Sequence, residues 1–460
     1  MLCCQCQFFV GMLWVQVGQV LGATVIRALI TTVVLGVAPV MAQSSPPTSN
    51  PAASQTAPGT GRLGRLLGLP ADGALRIGGV WVGNGTSQWS GGVSDQNASN
   101  GVQELLLEAS LDLGKAIGLD HTWIWIQGLQ VNTTSDAGLV SGSVQGSNSL
   151  TTPPPLNRME LFEFAIRKDF WDERVRVIAG KQSASITFAN INRPDKTSVD
   201  RYQVNNLTSL AFTPIYSMPT LLGRLPGYTN SALGLTITVQ PDVLEDRAYF
   251  SAGIYDGRGG LRDASVQTGL DAPSLRGPLF SIAEVGSGWV VGKSRKPGSF
   301  GLGGWSQGGE SVVCQTGNPT NCVTELGAWG VYALMNQRLS SFRPEQDSSG
   351  ITSFLSTGWS PSVSNQMSAS ATAGLTAIGL LESRPNDSMG VGISWAKINR
   401  SQPFLEVEFN PNELMLQGYV QLALADWLYV QPTITVLPLV GDRDAEDDSV
   451  SGLLQLTMLF

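Results

Sequence analysis

Neighbouring predicted strands place acidic and basic side chains on their polar faces. The candidate residues are Glu104, Glu108, Glu163, Arg167, Arg174 and Arg176. Alternate residues of a strand share a face, so these carboxylates and guanidiniums would face one another across neighbouring strands. Such an arrangement orients water and offers paired donors and acceptors to neutral polyols. The alternative is that the charges of a polar interior only neutralise one another.

The long segment 182–230 is a second place where function is expected. It carries Arg193 and Arg201 and has no strand periodicity. Segments of this length without secondary structure are usually functional or disordered. We expect this one to fold inward as a constriction, with both guanidinium groups available to a solute.

The sequence gives little support for catalysis. The only histidine, His121, begins the third predicted strand after a short turn, on the wrong side for a surface hydrolase that needs a paired Ser and His. The glycines of 301–304 do not lie in the strand-to-helix context of a phosphate-binding loop. We therefore expect no catalytic residue, no cofactor and no metal, and we interpret the acidic run 442–448 as a solvated loop rather than a cation site.

The elements that must position these residues are strands. Apolar and polar rows separate within 104–113, 161–168, 233–239, 389–395 and 413–424. In the second of these stretches, Phe162, Phe164 and Ile166 form the apolar row. At the C-terminus, Leu454, Leu456, Met458 and Phe460 share one face, and Gln455 and Thr457 share the other. A strand that crosses lipid directs one row into hydrocarbon and the other into a watery interior. The pattern predicts an all-β fold, although soluble β-sandwiches alternate too.

The connections favour a barrel over a sandwich. Tight links such as 169–173 and 425–427 contrast with long polar links such as 83–100, 132–157 and 256–278. Bacterial barrels have short periplasmic turns and long extracellular loops. Counting from a periplasmic N-terminus gives about 16 strands, enough to enclose an aqueous channel. The sequence thus predicts a transmembrane antiparallel β-barrel over residues 66–460.

The N-terminal end predicts export. Between Met1 and Arg62 the only charged residue is Arg27, which precedes an apolar run and the sequence Val40-Met41-Ala42. This pattern is typical of a secretory signal peptide, residues 1–42, and a retained anchor is the alternative. Residues 43–65, rich in Pro, Ser and Gly, are predicted to form a flexible periplasmic segment.

Export also bears on the cysteines. Three of the five lie in the predicted signal peptide and would be removed by its cleavage, so that Cys314 and Cys322 remain. In an oxidising compartment, a disulfide between these two that staples a surface loop is the expected arrangement. A metal site is the alternative, but it would require more Cys or His nearby.

The composition excludes other classes of protein. The chain has 53 Gly, 14% charged residues and a formal net charge of −8, which becomes −9 when the single Arg of the leader is removed. Negative charge argues against a nucleic-acid partner. The mean hydropathy near zero argues against disorder, which requires low hydrophobicity and high net charge.

Several segments resemble the OprB-type carbohydrate-selective porin family, and together they cover most of the mature chain. They are Arg158 to Ile166 (RMELFEFAI), Val175 to Lys181 (VRVIAGK), Gly227 to Gly234 (GYTNSALG), Gly379 to Gly392 with RPND at 384–387 inside it, and Trp427 to Pro432 (WLYVQP). Their order and spacing are those of the family. The resemblance implies a channel in the outer membrane of a Gram-negative-type bacterium that passes sugars by passive diffusion.

The expected function is passage of small hydrophilic solutes, with sugars favoured by the resemblance. A general or inorganic-ion channel of the same fold and a structural or surface-binding barrel are the alternatives. Expected partners besides the solute are outer-membrane lipid, lipopolysaccharide and the barrel-assembly machinery, whose recognition signal the terminal aromatic residue resembles. The expected oligomeric state is a monomer or a homotrimer.

Overall fold

The molecule is built from segments in which apolar and polar residues alternate. Such a segment is stable as a strand that has its apolar face toward lipid and its polar face toward water. The computed structural model describes residues 62–70, 72–93, 99–134, 141–148, 150, 157–190, 210, 218–227, 231–241, 248–258, 275–293, 296–315, 318–343, 349–399, 410–442 and 448–460. The predicted leader 1–42 and the segment up to residue 61 lie outside the described residues. From Arg62 the chain forms a short helix, Arg62–Leu66, where the flexible segment was expected to continue to residue 65.

In the described part of the chain, sixteen antiparallel strands form one closed barrel in which each strand pairs with its neighbours in sequence and β1 pairs with β16. The strands are β1 Leu75–Gly91, β2 Ser99–Asp112, β3 Thr122–Thr133, β4 Asn157–Phe170, β5 Val175–Gln182, β6 Ala232–Val239, β7 Ala248–Asp256, β8 Leu279–Val291, β9 Lys296–Gln315, β10 Asn318–Ser341, β11 Gly350–Trp359, β12 Met367–Ile378, β13 Ser388–Ile398, β14 Asn412–Ala425, β15 Leu428–Leu439 and β16 Ser449–Leu459. The predicted fold class and strand count are confirmed.

Burial alternates along the strands as the sequence predicted. In β2, Glu104 and Glu108 are buried on the inner face, whereas Leu107 is exposed on the outer face. In β6, Thr236 is buried and Leu235 is exposed. The exposed large apolar side chains form the outer surface that a barrel presents to lipid.

A β-bulge in β4 interrupts this alternation and overturns one expectation. Gln127 of β3 pairs with Glu163, but the next residue, Gly128, pairs with Leu161, so Phe162 is the extra residue. The bulge places both Phe162 and Glu163 on the inner side. Phe162 is therefore buried rather than lipid-facing, unlike Phe164, which is exposed.

Both ends of the barrel wall meet at one rim. Gly79 N donates to Phe460 O at 2.7 Å, and Phe460 N donates to Gly79 O at 3.0 Å, which joins β1 to the C-terminal residue. The helix Arg62–Leu66 is held at the same rim, since Arg62 forms an ion pair with Asp426 at 3.2 Å and lies over the Trp427 ring. No helix in the described residues is long and apolar enough to cross a membrane.

Candidate functional site

The inner face of β2, β3 and β4 carries a row of polar side chains at one level of the barrel. Cross-strand register places Glu108 beside Gln127 and Gln127 beside Glu163. Gln127 Nε2 donates to Glu108 Oε2 at 3.1 Å. Trp125 Nε1 donates to Glu163 Oε2 at 2.8 Å, so the wall itself provides part of the solvation of this buried carboxylate.

Two predicted arginines share one carboxylate that was not predicted. Arg167 Nε donates to Asp169 Oδ1 at 2.9 Å, and Arg176 Nε donates to the same atom at 3.1 Å. Arg167 also lies over the Trp123 ring, 4.6 Å from its centroid. The sequence pattern assigned Asp169 to a tight turn, whereas β4 continues to Phe170. Its shared parity with Arg167 was the signal that could have revealed it.

The remaining predicted arginines are Arg174, Arg193 and Arg201. Arg174 lies in the turn between β4 and β5, and its side chain is exposed, because the strand begins only at the next residue. Its position therefore differs from the expected place in the wall beside Arg176. Arg193 and Arg201 lie outside the described residues.

The arc of the wall formed by β11 to β16 has an uncharged inner face apart from Glu413. Its buried polar residues on these strands are Thr352, Ser356, Ser370, Thr372, Thr376, Ser388, Ser394, Gln417, Gln421, Gln431, Thr433, Thr435, Ser449, Ser451, Gln455 and Thr457. We call this set the neutral wall. It provides amide and hydroxyl groups, which both donate and accept hydrogen bonds.

One level of the neutral wall forms a continuous row of amides. Register places Ser388 beside Gln421, and Gln421 Nε2 donates to Gln431 Oε1 at 3.2 Å. Gln431 lies beside Gln455, which in turn lies beside Asn84 of β1. At the two ends of this row, Gln421 Oε1 and Asn84 Oδ1 accept no hydrogen bond from the described residues.

The link between β3 and β4 turns into the barrel. We call residues 141–150 the first inner segment; residue 149 is not among those described. Its backbone N–H groups and the hydroxyl group of Ser143 donate hydrogen bonds to the carboxyl group of Glu413 in β14. Asn84 Nδ2 donates a hydrogen bond to Asn148 Oδ1 at 2.6 Å. Leu150 is fully buried in an apolar cluster with Leu106, Leu129 and Phe162, which gives the inward-turned Phe162 its packing partners.

The link between β5 and β6 also packs against the inner wall. We call its described parts, 183–190 and 218–227, the second inner segment. Ser183 N donates to Glu163 Oε1, and Ala189 N donates to Glu284 Oε2, both at 2.9 Å. Phe188 and Leu221 belong to an apolar cluster on β7 to β10. These described parts of the segment 182–230 lie inside the barrel, and its inward fold as a whole stays a prediction.

The two inner segments meet on β12 and β13. Val144 of the first segment and Leu222 of the second both pack against the buried cluster of Met367, Ala396 and Ile398. The described parts of both segments therefore lie against the inner face of the barrel. Neither gave a sequence signal beyond the absence of strand periodicity.

The β9–β10 hairpin carries the predicted disulfide positions. Cys322 is disulfide-bonded, and register places Cys314 directly across the hairpin from it. The pairing of Cys314 with Cys322 stays a prediction that these two facts support.

A closed antiparallel barrel of sixteen strands, apolar outside and polar inside, with segments folded into its interior, defines a porin. A family model described as "Carbohydrate-selective porin, OprB family" matches residues 96–460. The chain belongs to this family, and it is an outer-membrane porin of the carbohydrate-selective type.

Solved structures show the same fold. The high-pH structure of Pseudomonas putida OprB is 15% identical, covers 87% of this chain and 96% of that chain, and superposes with a TM-score of 0.67. The low-pH structure of the same protein is 12% identical with the same coverage and a TM-score of 0.50. A search of curated proteins found no significant match.

Proposed function

We propose that small neutral sugars pass between the neutral wall and the charged side chains of β2 to β5. The observation that carries this proposal is the division of the inner face: amides and hydroxyls on β11 to β16, and charged groups on β2 to β5. A neutral polyol exchanges its hydration for hydrogen bonds to both sides, whereas a bare ion gains little from the neutral wall. Transport is passive and follows the concentration gradient.

In this proposal Glu104, Glu108, Glu163, Arg167 and Arg176 line the path and contact the solute directly or through water. Arg167 and Arg176 are both held by Asp169, which fixes where their guanidinium groups lie along the path.

The proposed partners besides the solute are outer-membrane lipid, lipopolysaccharide and the barrel-assembly machinery. The proposed assembly is a monomer or a homotrimer, which chemical cross-linking in intact cells would distinguish.

Planar-bilayer conductance with glucose titration tests the proposal. A saturable fall in KCl conductance as glucose rises would support a sugar path. Conductance without glucose block, together with strong cation selectivity, would instead favour an inorganic-ion channel, for which the buried carboxylates Glu104, Glu108 and Glu163 are the relevant observation. Folded protein without conductance would favour a structural barrel.

A pair of variants sharpens this test. Gln431→Met keeps the size of the side chain and removes its amide from the neutral wall, so glucose block should weaken. Gln130→Met makes the same change on the exposed outer face of β3 and should leave the block unchanged.

A further inference from the structure

Glu413 is the wall residue on which several donors of the first inner segment converge. It is fully buried at the start of β14, and none of the described residues pairs with it as a cation. Its carboxyl group instead receives three hydrogen bonds from three consecutive residues of the first inner segment: Ser143 Oγ at 3.0 Å, Val144 N at 2.6 Å and Gln145 N at 3.1 Å.

Successive backbone N–H groups that converge on one anionic group form a compact anion-binding turn. Here the anion belongs to the wall and the turn belongs to the segment, so the contact joins two parts of the chain that are far apart in sequence. A buried carboxyl group deprived of these donors would be left without solvation, which is costly. This contact therefore holds the segment more strongly than a neutral hydrogen bond would.

The remaining contacts of the first inner segment are between neutral groups. Ser394 Oγ donates to Gln145 Oε1 at 2.6 Å, Gln417 Nε2 donates to Ser147 O at 3.3 Å, and Asp442 N donates to Gly142 O at 3.0 Å. They determine where the segment lies along the wall. Glu413 provides the single point at which three donors are held together.

We propose that Glu413 is a positioning residue that clamps the first inner segment across the interior and thereby sets the size limit of the pore. The inference deepens the proposed function, since it assigns the limiting width of the solute path to a contact between the wall and the segment. It does not depend on which solute passes, because width can be measured with inert polymers.

The direct variant is Glu413→Ala. Loss of the clamp should raise the fraction of time spent in wide states on the order of ten-fold, which corresponds to about 1.4 kcal/mol and lies at the lower limit of the roughly 1.5–3 kcal/mol usual for a hydrogen bond to a charged group. Single-channel recordings would show this as longer high-conductance dwells. The largest neutral polyethylene glycol that enters the pore would also increase in size.

Removal of a carboxyl group also changes charge, so a second variant leaves charge intact. A Cβ added at Gly441 would lie 2.6 Å from Val144 Cγ2 and would also meet Glu413 Oε2. Gly441→Ala should therefore push the segment from its clamp and widen the pore without altering charge. The matched control is Gly85→Ala, where an added Cβ meets nothing within 4 Å.

All variants would be compared as folded protein, selected by heat-modifiable mobility, and Glu413→Gln would replace Glu413→Ala if the latter failed to fold. Wider polymer access in both the Glu413 variant and Gly441→Ala, but not in Gly85→Ala, would support the inference. A Glu413 variant that shifts only the reversal potential, or a silent Gly441→Ala, would overturn it. A wild-type pore that admits polymers but shows no glucose block would count against the sugar path and leave the clamp to be judged on width alone.

Discussion

Asp169 provides the sharpest test of the charged side of the pore. Its side chain is fully buried between Arg167 and Arg176, each only 9% exposed at the side chain. Asp169→Asn preserves shape and removes one negative charge. The cluster then changes from a net charge of +1 to +2, and its two guanidinium groups repel each other without a carboxylate between them.

The expected magnitude follows from burial. Two unit charges at 4 Å interact by about 4 kcal/mol at an effective dielectric constant of about 20. Removal of one partner from a buried ion pair commonly costs about 3–5 kcal/mol. We expect Asp169→Asn to lower the free energy of unfolding by about 3 kcal/mol, because the new amide still accepts one hydrogen bond.

The same change should alter ion selectivity. In a bilayer under a KCl gradient, the reversal potential of Asp169→Asn should shift toward that of chloride, since positive charge in the pore is no longer compensated. The double variant Arg167→Gln/Arg176→Gln should shift it toward potassium and weaken glucose block, because Gln cannot reproduce the fixed donors of Arg.

The control is Asp172→Asn, an identical change in the exposed turn only three residues away. Its backbone has a φ of 52°, a conformation that Asn tolerates, so it should be nearly neutral. Equal shifts in reversal potential for Asp169→Asn and Asp172→Asn would refute the argument, and so would a buried-site variant as stable as the wild type in urea titration.

Three further outcomes are expected. Deletion of Phe460 removes the two backbone hydrogen bonds to Gly79 and should reduce the heat-modifiable outer-membrane population without affecting export; normal assembly of the truncated chain would contradict this. Phe162→Ala should destabilise the barrel by about 3–5 kcal/mol in urea titration because it empties a buried apolar site, whereas a neutral effect would argue against the inward position. A cysteine introduced by Glu310→Cys, on the exposed part of the β9–β10 hairpin, should react with an impermeant maleimide on intact cells, whereas Asp172→Cys should not; the reverse pattern would invert the topology.

The sequence predicted those features of the strands that a lipid environment requires. A strand in hydrocarbon must alternate with period two, so the rows of β2, β6 and β14, and the approximate number of strands, could be read from side-chain type alone. The polar row of each strand also predicted that Glu104, Glu108 and Arg176 lie on the inner face. None of this requires knowledge of which strand lies beside which.

The features that escaped prediction depend on partners distant in sequence. The bulge at Phe162 is defined by the register between β3 and β4, which neither strand encodes by itself. Asp169 looked like a turn residue because aspartate is common in turns, whereas β4 continues to Phe170. The role of Glu413 was hidden because its donors come from residues 143–145, which have no periodic pattern and are ordered by the wall they contact.

The pairing of β1 with β16 has a consequence for how the protein is made. Every other strand pair joins neighbours along the chain, but this seam joins Val80 to Leu459 and so encloses nearly the whole polypeptide. Until the final strand has been delivered, two edges with unpaired backbone groups remain open to wrong partners. Closure of the ring is thus the most non-local step, the kind of contact that forms slowly, and a chain cut short at any point upstream has no way to seal its first strand.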